Sequence, residues 1–191
     1  MTLPAGARAA GGPGLEALAA RRSAIAGRWL ALTLEGYPAP TARLLARETD
    51  PFRNPVGHTL RQALSGLAEE LVGAMDPARV AALLDSVVRI RAVQDVSAKE
   101  AVSFVFLARQ ALREEIDSGG GLPAGDGLAA VEARVDEMAL SAFDLFMRCR
   151  EQIHAIRADE ARRRTALLDR IRERAGRPGS EPAGADPGTA P

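Results

Sequence analysis

The sequence predicts an all-α fold: a helical bundle ended by one long helix, with disordered termini. Three observations predict it. Apolar residues recur three and four apart over long stretches, the spacing that gathers them on one helical face. No useful length alternates apolar and polar residues with the period of two that a half-buried strand needs. With one Trp, one Tyr and five Phe in 191 residues, the core must be mainly Leu, Val, Ile and Ala, which suits helices better than sheets.

Residues 1–13 are small, Gly-rich and Pro-containing, and read as a disordered tail before a helical domain over 14–174. Leu15, Leu18, Arg22, Ile25, Trp29 and Leu32 share one face of a first helix, which Gly36 ends and Tyr37-Pro38 turns. A short amphipathic piece around Thr41–Arg47 carries Leu44 and Leu45. The next stretch, DPFRNPVG, holds two successive start signals, Asp50 with Pro51 and Asn54 with Pro55. Asp and Asn side chains accept from the orphan amides of a helix start, and proline lacks an amide where none is needed. The expected result is one turn, a redirection, and a longer helix from Pro55 to about Ala74, with Phe52 as an apolar plug between them.

Asp76-Pro77 repeats the signal and opens a helix carrying Val80, Leu83, Leu84, Val87 and Val88, which runs into RIRAVQD at 89–95. Ser97 and Glu100 have the spacing of a capping box. The helix they open has Ala101, Val102, Phe104, Val105, Phe106, Leu107 and Leu112 on nearly all sides, and is expected to be the most buried. DSGGGLPAGDG at 117–127 reads as a flexible loop. Leu128, Val131, Val135, Met138, Ala142, Leu145 and Cys149 then restore the three-four spacing, extended less strictly by Ile153, Ile156, Leu167, Leu168 and Ile171. Unbroken to Arg174, this helix would have roughly 47 residues and a length of about 70 Å. A domain of this size does not cover that length, so residues 150–174 are expected to project or to pair as a coiled coil. Residues 175–191 read as a second disordered tail.

Composition excludes several functions. Lys plus Arg equals Asp plus Glu, 25 each, which argues against a protein that coats nucleic acid. Lys99 is the single lysine, so nearly all positive charge is arginine, and the number of arginines alone carries no functional weight. Cys149 is the single cysteine, which rules out an intramolecular disulfide and fits a reducing cytoplasm. No apolar run approaches the ~20 residues of a membrane span. The N-terminus has no apolar core of the kind a secretory signal contains.

No nucleotide-binding glycine loop, nucleophile elbow, paired-cysteine motif or zinc-protease helix occurs. The histidines are His58 and His154. A zinc site from Cys149, His154 and Asp159 is set against a packed cysteine and a surface histidine, and the latter is preferred. His58 as a haem ligand is set against a partly exposed polar position early in its helix, again preferred. Arg89 and Arg91 stand near a helix C-terminus, where cations suit the dipole, and point to different faces. One must lie near the core, and a half-buried arginine needs a carboxylate or a bound anion. Asp144, within the apolar ALSAFDLFM, is its expected mirror image, so Asp144 or Asp95 is expected to pair with Arg89 or Arg91. The mixed-sign RADEARRR at 157–164 reads as a solvated helix face with local ion pairs rather than a nucleic-acid site.

Three segments together carry a family likeness: DPFRNPVGHTL at 50–60, LLDSVVRIRAVQDVSAKEAVSFVFLAR at 83–109, and ALSAFDLFMRCREQIHAIRADEARR at 139–163. They resemble the RsbRD N-terminal domain family, the sensor-type ends of RsbT co-antagonist proteins of the stressosome. The likeness spans most of residues 20–172. It implies an all-helical, non-enzymatic input module, globin-like without haem, that acts as a dimer and brings no catalytic residues and no cofactor. In full co-antagonists a STAS domain that binds the anti-sigma machinery follows. None is expected in this chain, which would then regulate a protein partner in trans: an anti-sigma or stressosome component; the alternatives are an accessory subunit of a respiratory redox complex and a haem- or small-ligand-binding globin-like sensor. Where the family commonly has proline after the capping-box serine, this chain has Ala98.

Overall fold

A computed structural model describes residues 13–94, 96–119 and 127–175, and all described secondary structure is helical. The two tails expected at the termini, most of the 117–127 loop and Asp95 lie outside the described residues. Seven helices are described: α1 Pro13–Ala20, α2 Arg22–Glu35, α3 Ala39–Arg47, α4 Pro55–Val72, α5 Pro77–Ala92, α6 Ala98–Ser118 and α7 Gly127–Ala175. The chain divides into two units, one reaching Arg150 and one beginning at Glu151, with α7 common to both.

In the first unit α2 packs against both α4 and α6, and α4 packs against α5. Trp29 lies at the centre, fully buried, and its indole Nε1 donates to the Phe104 carbonyl at 2.6 Å. A helix-interior carbonyl normally has its own amide partner, so this extra donor binds α2 to α6 at one register. Ile25 and Leu32 flank it on α2; Leu60, Leu64, Leu67 and Leu71 form the α4 stripe, and Val80, Leu84, Val87 and Val88 the α5 stripe. Val131, Val135, Met138, Ala142, Phe146 and Cys149 bury the first half of α7. Arg109–Asp136 and Arg113–Glu132 ion pairs tie it to α6.

Several sequence expectations are corrected here. The first helix is two: the chain breaks at Arg21, and Arg22 is exposed rather than on the core face. Arg21 turns instead to α6, where its guanidinium donates to the carbonyls of Glu115 and Gly119, both at 2.9 Å. The break releases a side chain that caps another helix, something periodicity within one segment does not register. Helix α6 is not the most buried: α4 buries ten residues and α6 seven. The apolar residues of α6 exceed what the core covers, and Phe106 faces outward at 45% exposure.

Arginine forks recur at helix ends. Besides Arg21 on α6, Arg134 of α7 donates to Leu71 and Gly73 carbonyls at the end of α4, at 2.8 and 2.9 Å. Arg61 of α4 donates to Leu45 and Glu48 carbonyls at the end of α3, at 3.0 and 2.6 Å. The last four carbonyls of any helix lack internal partners, and a planar fork with several N–H groups satisfies two at once.

Candidate functional site

The DPFRNPVG stretch is scaffold. Asn54 is 3% exposed, and its Oδ1 accepts from the Gly57 amide at 2.8 Å, the N-cap bond of α4. Its Nδ2 reaches the other way and donates to Glu48 and Leu45 carbonyls at 2.8 and 3.1 Å. One carboxamide thus starts α4 and caps α3. Asp50 accepts from the Phe52 amide at 2.9 Å and closes the intervening turn. Phe52 is no plug: it is 94% exposed, because the Asp50 turn aims it outward and Asn54 fills the gap it was expected to fill. Asp76 caps α5 by accepting from Ala78, with Pro77 first in the helix. Ser97 and Glu100 form the reciprocal capping box of α6. Hydrogen bonds from the Ser97 side chain and backbone hold the Glu100 carboxyl below the usual carboxylate range.

Glu70, which the sequence did not single out, is buried near the end of α4. It accepts from the Asp76 amide at 2.8 Å and from Arg79 at 2.9 Å, clasping the α4–α5 connection. A buried carboxylate needs such partners, but nothing in its local sequence announces them.

The expected arginine–carboxylate pairing is corrected. Arg89 is exposed and pairs with Asp85 one turn back, at 2.6 Å. Asp144 is exposed and pairs with Arg148 at 2.9 Å. The core stripe through Ala142 and Phe146 puts position 144 on the far side of α7, so the apolar neighbours in sequence are not its neighbours in space. Asp95 lies outside the described residues. Arg91 is the inward arginine. Its guanidinium lies 5.5 Å from the Tyr37 ring centre and 5.4 Å from that of Phe104, within cation–π range. One terminal nitrogen donates to the Glu100 carbonyl at 3.2 Å. Among the described residues no carboxylate pairs with it, and desolvation by burial lowers its pKa from the ordinary arginine value. It faces a cleft of about 440 Å³ between the α2–α3 turn and the α5–α6 junction.

A second cleft is apolar. A groove of about 710 Å³ between α6 and α7 is lined by Val102, Phe106, Ala139, Leu140 and Phe143, with Lys99 and Asp136 at its rim. Leu140 is 72% exposed, and Met147 continues the exposed apolar row one turn beyond Phe143. A row at 140, 143 and 147 has the spacing of one helix face, distinct from the buried stripe of the same helix.

His58 is half-buried in the first turn of α4 and lines neither cleft. In the second unit, residues 151–172 are exposed apart from the half-buried Ile153. Arg162–Asp159 and Arg164–Glu160 pairs run along this segment, the solvated face expected of RADEARRR. Among the described residues no group of three metal-ligating side chains forms, and no helix is long and apolar enough to cross a membrane.

The family model described as the RsbT co-antagonist protein rsbRD N-terminal domain matches residues 23–164, which include α2 from its second residue, α3 to α6, both clefts and much of α7. Neither a curated protein nor a solved structure matches the chain significantly.

Proposed function

Because the chain belongs to the RsbT co-antagonist protein rsbRD N-terminal domain family, we propose that it is a non-enzymatic regulatory module that associates with a second copy of itself and acts on a protein partner in trans. The observation that carries this reading is the α6–α7 groove. Phe106, Leu140 and Phe143 present apolar surface around a concave seat, where a soluble monomer rarely leaves a contiguous patch uncovered. The rim carries charge of both signs: Lys99 stands on the α6 side and Asp136, which also pairs with Arg109, on the α7 side. In an isologous interface each residue meets the other's counterpart, so a patch with one charge of each sign is self-complementary.

Function then follows from α7, which supplies Leu140 and Phe143 to the groove and continues to Ala175. A shift in packing at the groove is a shift in α7, and a stressosome-type partner reads it on residues 151–172, a helix-relay mechanism. Sedimentation across a concentration series tests the first step. Wild type should be dimeric, and the double variant Leu140→Asp, Phe143→Asp monomeric with unchanged helical circular dichroism. A monomeric wild type, or a variant of undiminished mass, refutes self-association through this groove. Hydrogen exchange tests the second step: residues 151–172 should gain protection when the partner is added, and a segment equally unprotected in both states is no relay.

A further inference from the structure

The Arg91 cleft has features that scaffolding does not explain. Arg91 Nε and Tyr37 Oη are both buried, and among the described residues neither has a hydrogen-bond partner. Two such atoms on residues that line one cleft are unusual, since buried polar groups are nearly always paired. Stacking against Tyr37 and Phe104 stabilises the guanidinium face, and one terminal nitrogen donates to the Glu100 carbonyl, but the in-plane Nε–H is left unsatisfied. Three other polar groups of the cleft have partners. The Ser103 hydroxyl donates to the Glu100 carbonyl, Thr33 donates to the Trp29 carbonyl, and the Glu100 carboxylate accepts from Ser97.

We propose that this cleft binds a small organic monocarboxylate, whose oxygens accept from Arg91 Nε and the Tyr37 hydroxyl and whose apolar part lies against Leu32, Val96 and Leu107. The chemistry selects the class. Among the described residues lining the cleft Arg91 is the single cation, so its guanidinium can pair with one carboxylate, while a second negative charge would meet no cation and would face the Glu100 carboxylate. A guanidinium edge matches the planar geometry of a carboxylate. The apolar walls favour an organic acid over an inorganic anion, and a volume of about 440 Å³ leaves room for its chain. An anion in the cleft favours the charged form of Arg91 and offsets its desolvation. The position fits an input site, because Arg91 stands in the last turn of α5 and contacts Phe104 and Glu100 on α6, the helix that lines the apolar groove.

The test is an amide chemical-shift titration of the full chain with sodium butyrate, neutral butyramide and inorganic phosphate. Butyrate should shift Gly36, Tyr37, Gln94 and Val96 saturably, while butyramide and phosphate do not. Tyr37→Phe keeps the ring against Arg91 and loses only the hydroxyl, and should weaken butyrate about tenfold. Arg91→Lys keeps the charge and loses the fork, and should weaken it at least as much. The proposal is overturned by an absence of saturable butyrate shifts, by butyramide binding equally, by phosphate binding in place of butyrate, or by Tyr37→Phe binding as wild type does. If Arg91→Lys does not fold, Tyr37→Phe alone decides. The monomeric groove variant should still bind butyrate, so this site and self-association fail separately.

Discussion

Gly57 leaves the space that the Asn54 carboxamide occupies: a Cβ at position 57 would lie 2.2 Å from Asn54 Nδ2 and 2.7 Å from its Oδ1. The NPVG sequence is therefore one device. Asn54 folds over the first turn of α4, Pro55 starts it without a surplus amide, and Gly57 admits the side chain that joins α3 to α4.

Gly57→Ala should therefore act like damage to Asn54. Asn54→Ala removes an N-cap and leaves buried carbonyls of α3 without that donor, at a cost of about 2–4 kcal/mol. Asn54→Asp discriminates more sharply. Aspartate is an equally good N-cap, but it loses Nδ2 and sets a carboxylate against the Leu45 and Glu48 carbonyls. It should destabilise at least as much as alanine in urea melts, and a neutral result would show that the Nδ2 bonds contribute nothing.

Trp29 is the single tryptophan and is fully buried, so its fluorescence should be blue-shifted when folded and move to the red on unfolding. Trp29→Phe removes the bond to Phe104 and part of the packed volume, and should cost about 2–4 kcal/mol by circular dichroism melts. A loss below about 0.5 kcal/mol would mean that the α2–α6 contact does not depend on the indole.

Arg21→Met should loosen the end of α6 without abolishing the fold. The two carbonyl bonds are charge-assisted but partly exposed, so a loss of about 1–2 kcal/mol is expected. Faster hydrogen exchange should be confined to the last turns of α6. Unchanged exchange there would assign that end a different cap.

Acid should weaken the fold through Glu114 and Glu100. The bond from Arg28, then that from Gln110, holds the Glu114 carboxyl below its ordinary value. Both groups are more acidic folded than unfolded, so unfolding takes up protons. Their stabilisation is present above the unfolded carboxylate range, near ~4.3, and is lost as pH falls through the lower folded values. Both are solvent-exposed and screened, so the effect should be small. Glu114→Gln should flatten the decline in stability between neutral pH and mild acid. A decline as steep as that of wild type would place the acid-sensitive groups elsewhere.

The capping signals were legible because each acts between atoms a few residues apart. Asp76-Pro77, Ser97 with Glu100 and Asn54-Pro55 all start helices where the residues said they would. Half of Asn54's role was hidden, because the Leu45 and Glu48 carbonyls reach it only after the Asp50 turn folds back. RIRAVQD showed that one arginine must face inward but not which. The α5 register leaves Val93 72% exposed, buries Ala92 and directs Arg91 to Tyr37. Asp144 was misread from apolar neighbours along the chain, although the spacing of Ala142 and Cys149 already placed it on another face.

The amino-acid order alone determined that this chain is helical, roughly where most of its helices begin, and which family it belongs to, because helix periodicity and capping are local interactions that survive without knowledge of the rest. Tertiary structure alone decided which apolar face is left uncovered, which carbonyl ends the arginines reach, and that Arg91 and Tyr37 share a cleft. These depend on groups far apart in sequence, whose meeting is set by the packing of α2 against α4 and α6 and not by any segment read in isolation.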